Sequence, residues 1–589
     1  MRLNNPTSRL KISLLVLSLP CTFAVGKTIY VDDDSPSDFS TIKAAIDDAN
    51  DGDTVLVAPG IYTGEGNRDI NFRGKAITVR STDPNDPAII ASTIIDCQSQ
   101  GRGFTFDSGE QADSILDGIT ITNGYAANSG GGISVRNSSP AIIRSTIFRN
   151  STNSRGDGGG IYILGGQPLV SQCSIIENTA GSGGGLYIHE SSPLINDCTI
   201  ANNSAVGGGG LSIGGMGWSD EYTICMEHCR ITSNSANSQA GGLYAILCTL
   251  QMSNCVISGN RLLYGGTGGG VSIRGLTIAE INQCTIMGNK VIEDPPGVNC
   301  FGGGLFLQMC DVKIANSIIR QNRATKGAQL AINAWDGQQS PDEPPMNEPT
   351  LARLHHNNFN SEQDQEVYIY GEPNLLTLDM YDNLDVDPCF ADSGRWDPNG
   401  KPEDPNDDFW IDGDYHLKSE YGRWNPNTQT WVVDDVTSPC IDAGDPNMPV
   451  GDEPFPNGVI INMGAYGGTK EASKSLSDIP MTVNVNDNDN GGQVTLRQGQ
   501  ILAVTLESNP TTGYSWYRVE KQDSIFEKFG DTLYFPSEQD DETVGAGGWE
   551  ILYFKSIKIG QETLELVYRR SWETDVEPFK MFSIDVVVN

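Results

Sequence analysis

The residues best suited to a chemical task lie near the C-terminal end of the chain. Asn509-Pro510-Thr511-Thr512-Gly513-Tyr514 stands between two strand-like segments. Proline fixes φ near about −65° and restrains the residue before it, while Gly513 is free to take a positive φ. The Thr511-Thr512 tip is therefore expected to hold one shape before it meets anything. Gly545-Ala546-Gly547-Gly548 precedes another strand-like segment and offers backbone without bulk. Arg570 and Trp572 follow a third segment and supply a large amphipathic anchor of the kind that dominates interface energies. No catalytic residue is assigned among them. The set suits docking, and stiffness lowers the entropic cost of docking.

Other chemistry-bearing residues read as structure. Asn486-Asp-Asn-Asp-Asn-Gly-Gly492 resembles a calcium loop at a glance. Counted from Asp487, however, the fifth position is Gly491 and the twelfth is Gln498, where that loop needs an oxygen ligand and a bidentate Glu, so a polar hairpin turn is expected. The recurring Cys173, Cys198, Cys229, Cys255 and Cys284 exchange with Ser145 and Ser317, as a stacked inward small side chain would. Zinc-type paired spacing is missing from that column, so no metal is expected. The other cysteines, Cys97, Cys225, Cys248, Cys300, Cys310, Cys389 and Cys440, are candidates for pairing in an exported protein, with connectivity left open. His189-Glu190 and the acidic clusters Asp32-Asp33-Asp34 and Glu403 to Asp408 invite a glycan-cleaving reading. That chemistry needs a base and cations at fixed positions in consecutive turns, and no Lys/Arg cluster recurs there.

The elements that carry these residues follow from a repeat. The phrase Gly-Gly-Gly-Ile/Leu/Val-x-Ile/Leu recurs from Gly130 to Gly302 at steps of 25 to 34 residues, alternating with Cys/Ser-x-Ile-x-x-Asn from Ser145 to Asn322. Apolar residues two apart (Ile161 with Ile163, Leu186 with Ile188) place one strand face inward. Three strands per turn with no helical period between them resemble a right-handed parallel β-helix of the pectate-lyase type, with Asp51-Gly-Asp-Thr-Val-Leu-Val as its first turn. Asn at each phrase end is expected to take the left-handed bend and bond its copies above and below. Pro/Asp-rich stretches around Asp336 to Pro349 and Arg395 to Phe409 read as surface loops. Ser438-Pro-Cys-Ile-Asp-Ala-Gly-Asp and Asn462-Met-Gly-Ala-Tyr-Gly-Gly read as terminal rungs. After a polar linker, alternating segments from Met481 to Val588 suit an immunoglobulin-like β-sandwich that has no cysteine.

The three loop motifs, in this order, resemble the chagasin family of cysteine peptidase inhibitors. That resemblance implies that Asn509, Pro510, Thr511, Thr512, Gly513, Tyr514, Gly545, Ala546, Gly547, Gly548, Arg570 and Trp572 meet the active-site cleft of a papain-like cysteine peptidase. It also implies reversible inhibition without a cofactor. Where the family has Pro after Arg, this chain has Ser571, which predicts a looser third loop.

The expected fold is all-β: a right-handed parallel β-helix solenoid followed by an immunoglobulin-like β-sandwich. Its parts are a signal peptide (1–26), the β-helix (27–469), a linker (470–478) and the inhibitor domain (479–589). Arg2, Arg9 and Lys11 before the short apolar run Ile12 to Ala24 read as a secretory leader, and no later stretch is long and apolar enough to span a membrane. A formal net charge of −37 argues against nucleic acid as a partner. An extracellular polysaccharide or a cell surface is the candidate partner of the β-helix. The rival readings are a polysaccharide-processing β-helix enzyme with an accessory sandwich, and a structural adhesin.

Overall fold

The computed structural model describes residues 26–34, 36–215, 222–335, 349–361, 365–399, 408–458, 460–475, 482–521, 523–530, 532–536, 547–572 and 576–589. The expected leader and most of the Asp336 to Pro349 insertion lie outside them. From Lys27 to Tyr381 the chain coils into stacked parallel columns of 13, 11 and 11 strands, running from Thr28–Val31, Gly60–Tyr62 and Ile70–Asn71 respectively. Each rung lies in register on the next, as Ile161, Tyr162 and Ile163 lie on Leu186, Tyr187 and Ile188. The alternation is obeyed: Ile161, Ile163, Leu186 and Ile188 are fully buried, and their copies fill one continuous core.

Three corrections concern the coil. A fourth, short column runs from Tyr125–Ala126 to Lys290–Val291, so the middle turns have four strands and not three. Two helices, Ile42–Asp48 and Pro87–Ser92, stand in the first turns and are too short for their period to show in the sequence. The asparagine ladder forms, but the left-handed residue is the one before each asparagine: Arg149, Glu177, Asn202 and Ser233 have φ of 55°, 55°, 56° and 57°. That bend turns the following side chain inward. Asn178 Nδ2 donates to Asn203 Oδ1 at 3.0 Å and to the Ile147 carbonyl at 2.9 Å, and its backbone N–H donates to the same Oδ1 at 2.9 Å. The pattern repeats from Asn150 to Asn322, deep in the core. Each rung thus gives its buried polar groups to the next.

The triplet glycines have two reasons. The first, such as Gly183 with φ 61°, sits in the left-handed region. The second and third leave no room: a Cβ on Gly184 would lie 2.5 Å from the Gly209 carbonyl oxygen. The cysteine column stacks inside the core, each thiol donating to the carbonyl two residues before it, as Cys198 Sγ does to Asn196 at 3.3 Å. All the described cysteines are free, and of the candidates for pairing, Cys97, Cys225, Cys248, Cys300, Cys310, Cys389 and Cys440, none is joined to another. The Cys97 and Cys310 thiols are pushed up to about 12 by burial, which suits inert packing groups.

The segment after Tyr381 does not continue the coil. It turns back and packs along the second column, where Phe390, Tyr415, Cys440, Met463 and Ala465 bury Val256, Met287 and Ile318. The stretch taken for a surface loop forms a hairpin, Arg395–Asp397 against Phe409–Ile411. Its Trp410 lies in the space left by Gly259 and Gly288, where a Cβ would come within 2.0 and 2.1 Å of the indole. Asp412 receives Arg230 at 2.5 Å, Ser258 Oγ at 2.8 Å and the Tyr415 hydroxyl at 2.8 Å, clamping the hairpin to two rungs. The phrases at Ser438 and Asn462 belong to this cover and are not rungs, since Asn254 Nδ2 donates to the carbonyls of Ala465 and Gly467. Residues 470–475, expected as linker, also belong to it: Ala472 is buried and Ser473 Oγ donates to the Leu417 carbonyl. The remaining expected linker residues lie outside the described ones.

The C-terminal domain has two sheets. The first joins β1 (Thr482–Asn486), β3 (Ile501–Ser508), β7 (Gly548–Ser556) and β5 (Phe526–Lys528), with β6 (Leu533–Pro536) also on β7. The second joins β2 (Gln493–Leu496), β9 (Lys580–Val588), β8 (Gly560–Arg570) and β4 (Tyr514–Arg518). Leu502, Val504, Leu506, Trp516, Leu552, Phe554, Leu564, Leu566, Phe582 and Ile584 close the core between them.

Replacing Asn203 by Leu would leave the buried Ile175 carbonyl and Asn178 N–H unpaired, at about 1–3 kcal/mol for each. The expected outcome is a lower thermal midpoint together with faster amide exchange in the rungs either side. An unchanged exchange pattern would show that the ladder does not hold the coil.

Candidate functional site

Strand register decides where the three motifs go. Ser508 at the end of β3 pairs with Gly548 at the start of β7, which sets the glycine motif beside the start of the Asn-Pro-Thr-Thr-Gly loop. Tyr514 at the start of β4 pairs with Arg570 at the end of β8, which sets the Arg-Ser-Trp turn beside the end of the same loop. All three therefore occupy one end of the sandwich, with the threonine loop crossing from one sheet to the other between its neighbours.

The threonine loop is closed by its own backbone. Pro510–Thr512 forms one 3-10 turn, and Gly513 follows in the left-handed region with φ 84°. Thr512 donates to the Asn509 carbonyl through both its N–H, at 3.1 Å, and its Oγ1, at 2.6 Å; the Gly513 N–H donates to the Pro510 carbonyl at 2.9 Å. Asn509 N–H donates to the Tyr568 hydroxyl at 2.7 Å, which anchors the loop to the opposite sheet. Of Thr511 only the backbone is described.

The third loop is tied to the first. Arg570 Nε donates to the Thr512 carbonyl at 3.2 Å, and its guanidinium lies 4.6 Å from the Tyr514 ring centre and 5.9 Å from that of Trp572. A Cβ on Gly513 would meet the Trp572 indole at 3.0 Å, so glycine is needed there for space as well as for φ. Trp572 itself is 70% exposed. Of the glycine motif, Gly547 and Gly548 are described, whereas Gly545 and Ala546 lie outside the described residues. Gly547, Gly548, Asn509, Thr512, Tyr514 and Arg570 border one open pocket of about 600 Å³.

Beneath the loop lies a residue that the motif reading missed. Glu550 is 3% exposed, and its carboxylate accepts from Ser508 Oγ at 2.7 Å, Ser515 Oγ at 2.9 Å and the Trp516 N–H at 3.0 Å. It thus grips both flanks of the threonine loop. The signal was available, because Glu550 alternates with buried Leu552 and Phe554 and so stands on the inward face. Lower down, Asp487 Oδ2 accepts the Glu507 N–H at 3.0 Å, within a 3-10 turn whose capping box joins Asn486 to Asp489; the Asn/Asp run is a polar turn, but not the expected hairpin, because β1 and β2 on either side of it belong to different sheets.

On the coil, His189 ends a strand with its ring 6.2 Å from that of Tyr187, and Glu190 takes the left-handed bend after it, the geometry of a turn. Among the described residues, no group of three or more His, Cys, Asp and Glu side chains is placed to hold a metal ion, and no helix is long and apolar enough to cross a membrane.

Comparison with protein families matches residues 495–586 to "Chagasin family peptidase inhibitor I42", residues 76–245 to "Right handed beta helix region" and residues 380–444 to "Disaggregatase related". The coil is thus a right-handed parallel β-helix, and the domain after it is an immunoglobulin-like sandwich. The chain is 30% identical over 105 residues to Chagasin of Trypanosoma cruzi, covering 17% of this chain and 92% of that protein. It is 30% identical over 88 residues to Amoebiasin-2 of Entamoeba histolytica, covering 15% and 70% respectively. Among solved structures, a mannuronic acid specific polysaccharide family 6 lyase from human gut microbiota covers 60% of this chain and 82% of its own at 13% identity, with a TM-score of 0.27.

Changing Glu550 to Ala strands three buried donors and is expected to lower stability by about 2–4 kcal/mol, with amide exchange at Trp516 speeding up first. Glu550→Gln keeps an acceptor and should lose less. Equal exchange at Trp516 in all three proteins would rule out the grip.

Proposed function

This chain belongs to the chagasin family through its C-terminal domain, and from that premise we propose that the domain inhibits papain-like cysteine peptidases by reversible occlusion of the active-site cleft. The observation that carries the reading is the meeting of the three loops at one end of the sandwich, with the threonine turn locked between glycine backbone and indole. The Thr511-Thr512 tip enters beside the peptidase's reactive thiolate. Gly545 to Gly548 lies along one wall, and Arg570 and Trp572 grip the other.

Two features support inhibition over cleavage of the loop. The carbonyl oxygens of Asn509, Pro510 and Thr512 are already engaged within the domain, by Thr512, Gly513 and Arg570 respectively, so none of the three is free to enter the peptidase's oxyanion hole without breaking the turn. The loop is also fixed before binding, which removes most of the ordering cost that a flexible segment would pay. A fixed loop whose carbonyl oxygens are tied into its own turn resists the rearrangement that cleavage requires, and stays bound without reacting.

In this proposal the protein is exported by its N-terminal leader. The β-helix forms the body that carries the inhibitor, with an extracellular polysaccharide or cell surface as its contact.

Titrating papain with the full-length chain should give reversible, stoichiometric inhibition. Thr512→Arg places a long cation in the wedge and should abolish it. Trp572→Ala, which removes an exposed anchor, should raise the inhibition constant by about 30-fold, as loss of roughly 2 kcal/mol requires. Undiminished inhibition by Thr512→Arg would sink the loop assignment.

A further inference from the structure

We propose that the inhibitory end carries a fourth recognition element, which adds Tyr568 and Phe579, outside the three motifs, to Tyr514 of the first. It is a socket walled by Tyr514, Tyr568 and Phe579, which receives one apolar, ring-bearing side chain from the peptidase surface beside its cleft. The inference rests on the peptidase-inhibitor reading and adds to it a determinant of which peptidases are held.

Phe579 and Trp572 are the two most exposed aromatic side chains among the described residues, at 72% and 70%, and they sit on the same turn between β8 and β9. Trp549, at the start of β7, is 44% exposed on the opposite side of the opening. Exposed rings gathered at one end of a small domain mark a surface that a partner covers. Trp572 belongs to the known motif order, but Phe579 does not.

The position of Phe579 is fixed. Its N–H donates to the Tyr568 carbonyl at 3.0 Å, and its ring lies 5.7 Å from that of Tyr514, which in turn stacks on Tyr568 at 5.3 Å. The three rings line one side of the 600 Å³ pocket that Asn509, Thr512, Gly547 and Gly548 border on the other. Glycine there leaves the floor as bare backbone, so the pocket stays open. Because it shares its border with the threonine and glycine loops, a body docked on those loops closes it.

The chemistry of the occupant follows from the walls. Ring faces and edges favour another ring, by area and by quadrupole. Charge does not select it: the nearest rim charges, Lys580 and Glu507, neutralise each other at 3.1 Å, and Arg570 is laid over Tyr514. The socket therefore selects bulk and shape.

The test uses the full-length chain against papain. Phe579→Ala should raise the inhibition constant at least tenfold, chiefly through faster dissociation, while the thermal midpoint stays put because the ring is exposed. Phe579→Tyr should stay within about threefold of wild type. A benzophenone side chain at position 579 should photo-crosslink to the papain surface bordering its cleft. Phe579→Ala within twofold of wild type, while Thr512→Arg abolishes inhibition, would overturn the socket and leave the three-loop reading standing. Absence of inhibition by the wild-type chain would overturn both.

Discussion

The end of the sandwich where the three loops meet is built around one buried carboxylate. Glu550 takes three hydrogen bonds from the residues on either side of the threonine loop, and it can do so because β3, β7 and β4 bring Ser508, Ser515 and Trp516 around it. A carboxylate removed from water is costly unless its oxygens are filled. Here that same requirement makes the loop's two feet approach and stay. The glycine and tryptophan loops are then placed by pairing alone, since their strands are neighbours of the ones that Glu550 joins.

The β-helix solves a related problem in a different way. Its bends would bury unpaired backbone groups, and the asparagine ladder satisfies them rung by rung, each side chain bonding the next copy and a carbonyl of the previous turn. Such an array has local contacts and no single centre. The cover from residues 384 to 475 breaks that one-dimensional order, because Trp410 and Asp412 each touch more than one rung and bind the later turns into a block.

Legibility in the sequence tracks how local each cause is. The solenoid was readable because every turn repeats the same solution with the same residues, and the cysteine stack and inward alternation came with it. The fourth column was not, because its strands vary from two residues at Tyr125–Ala126 to five at Ser235–Gln239, and the small buried Ala180, Ala205 and Ala236 that stack in it carry too little hydrophobic signal to stand out. The cover was misread as rungs and loops, since what holds it is the fit of an indole onto Gly259 and Gly288 more than a hundred positions earlier. In the site, the threonine loop and Trp572 could be named from their motifs. Neither Glu550 nor Phe579 belongs to a motif: the first showed only as an acid at an inward position of an alternating strand, and the second is a single ring in a turn.

By itself the sequence determined the repeat, the change from stacked turns to alternating strands, and the stiffness of the Pro510 to Gly513 turn, because each rests on residues a few positions apart. Tertiary structure alone decided that the three motifs share one end, that a buried acid braces the central one, and that a ring-walled pocket opens beside it. Those depend on register between strands far apart in the chain, and register is set when two faces close on a common core.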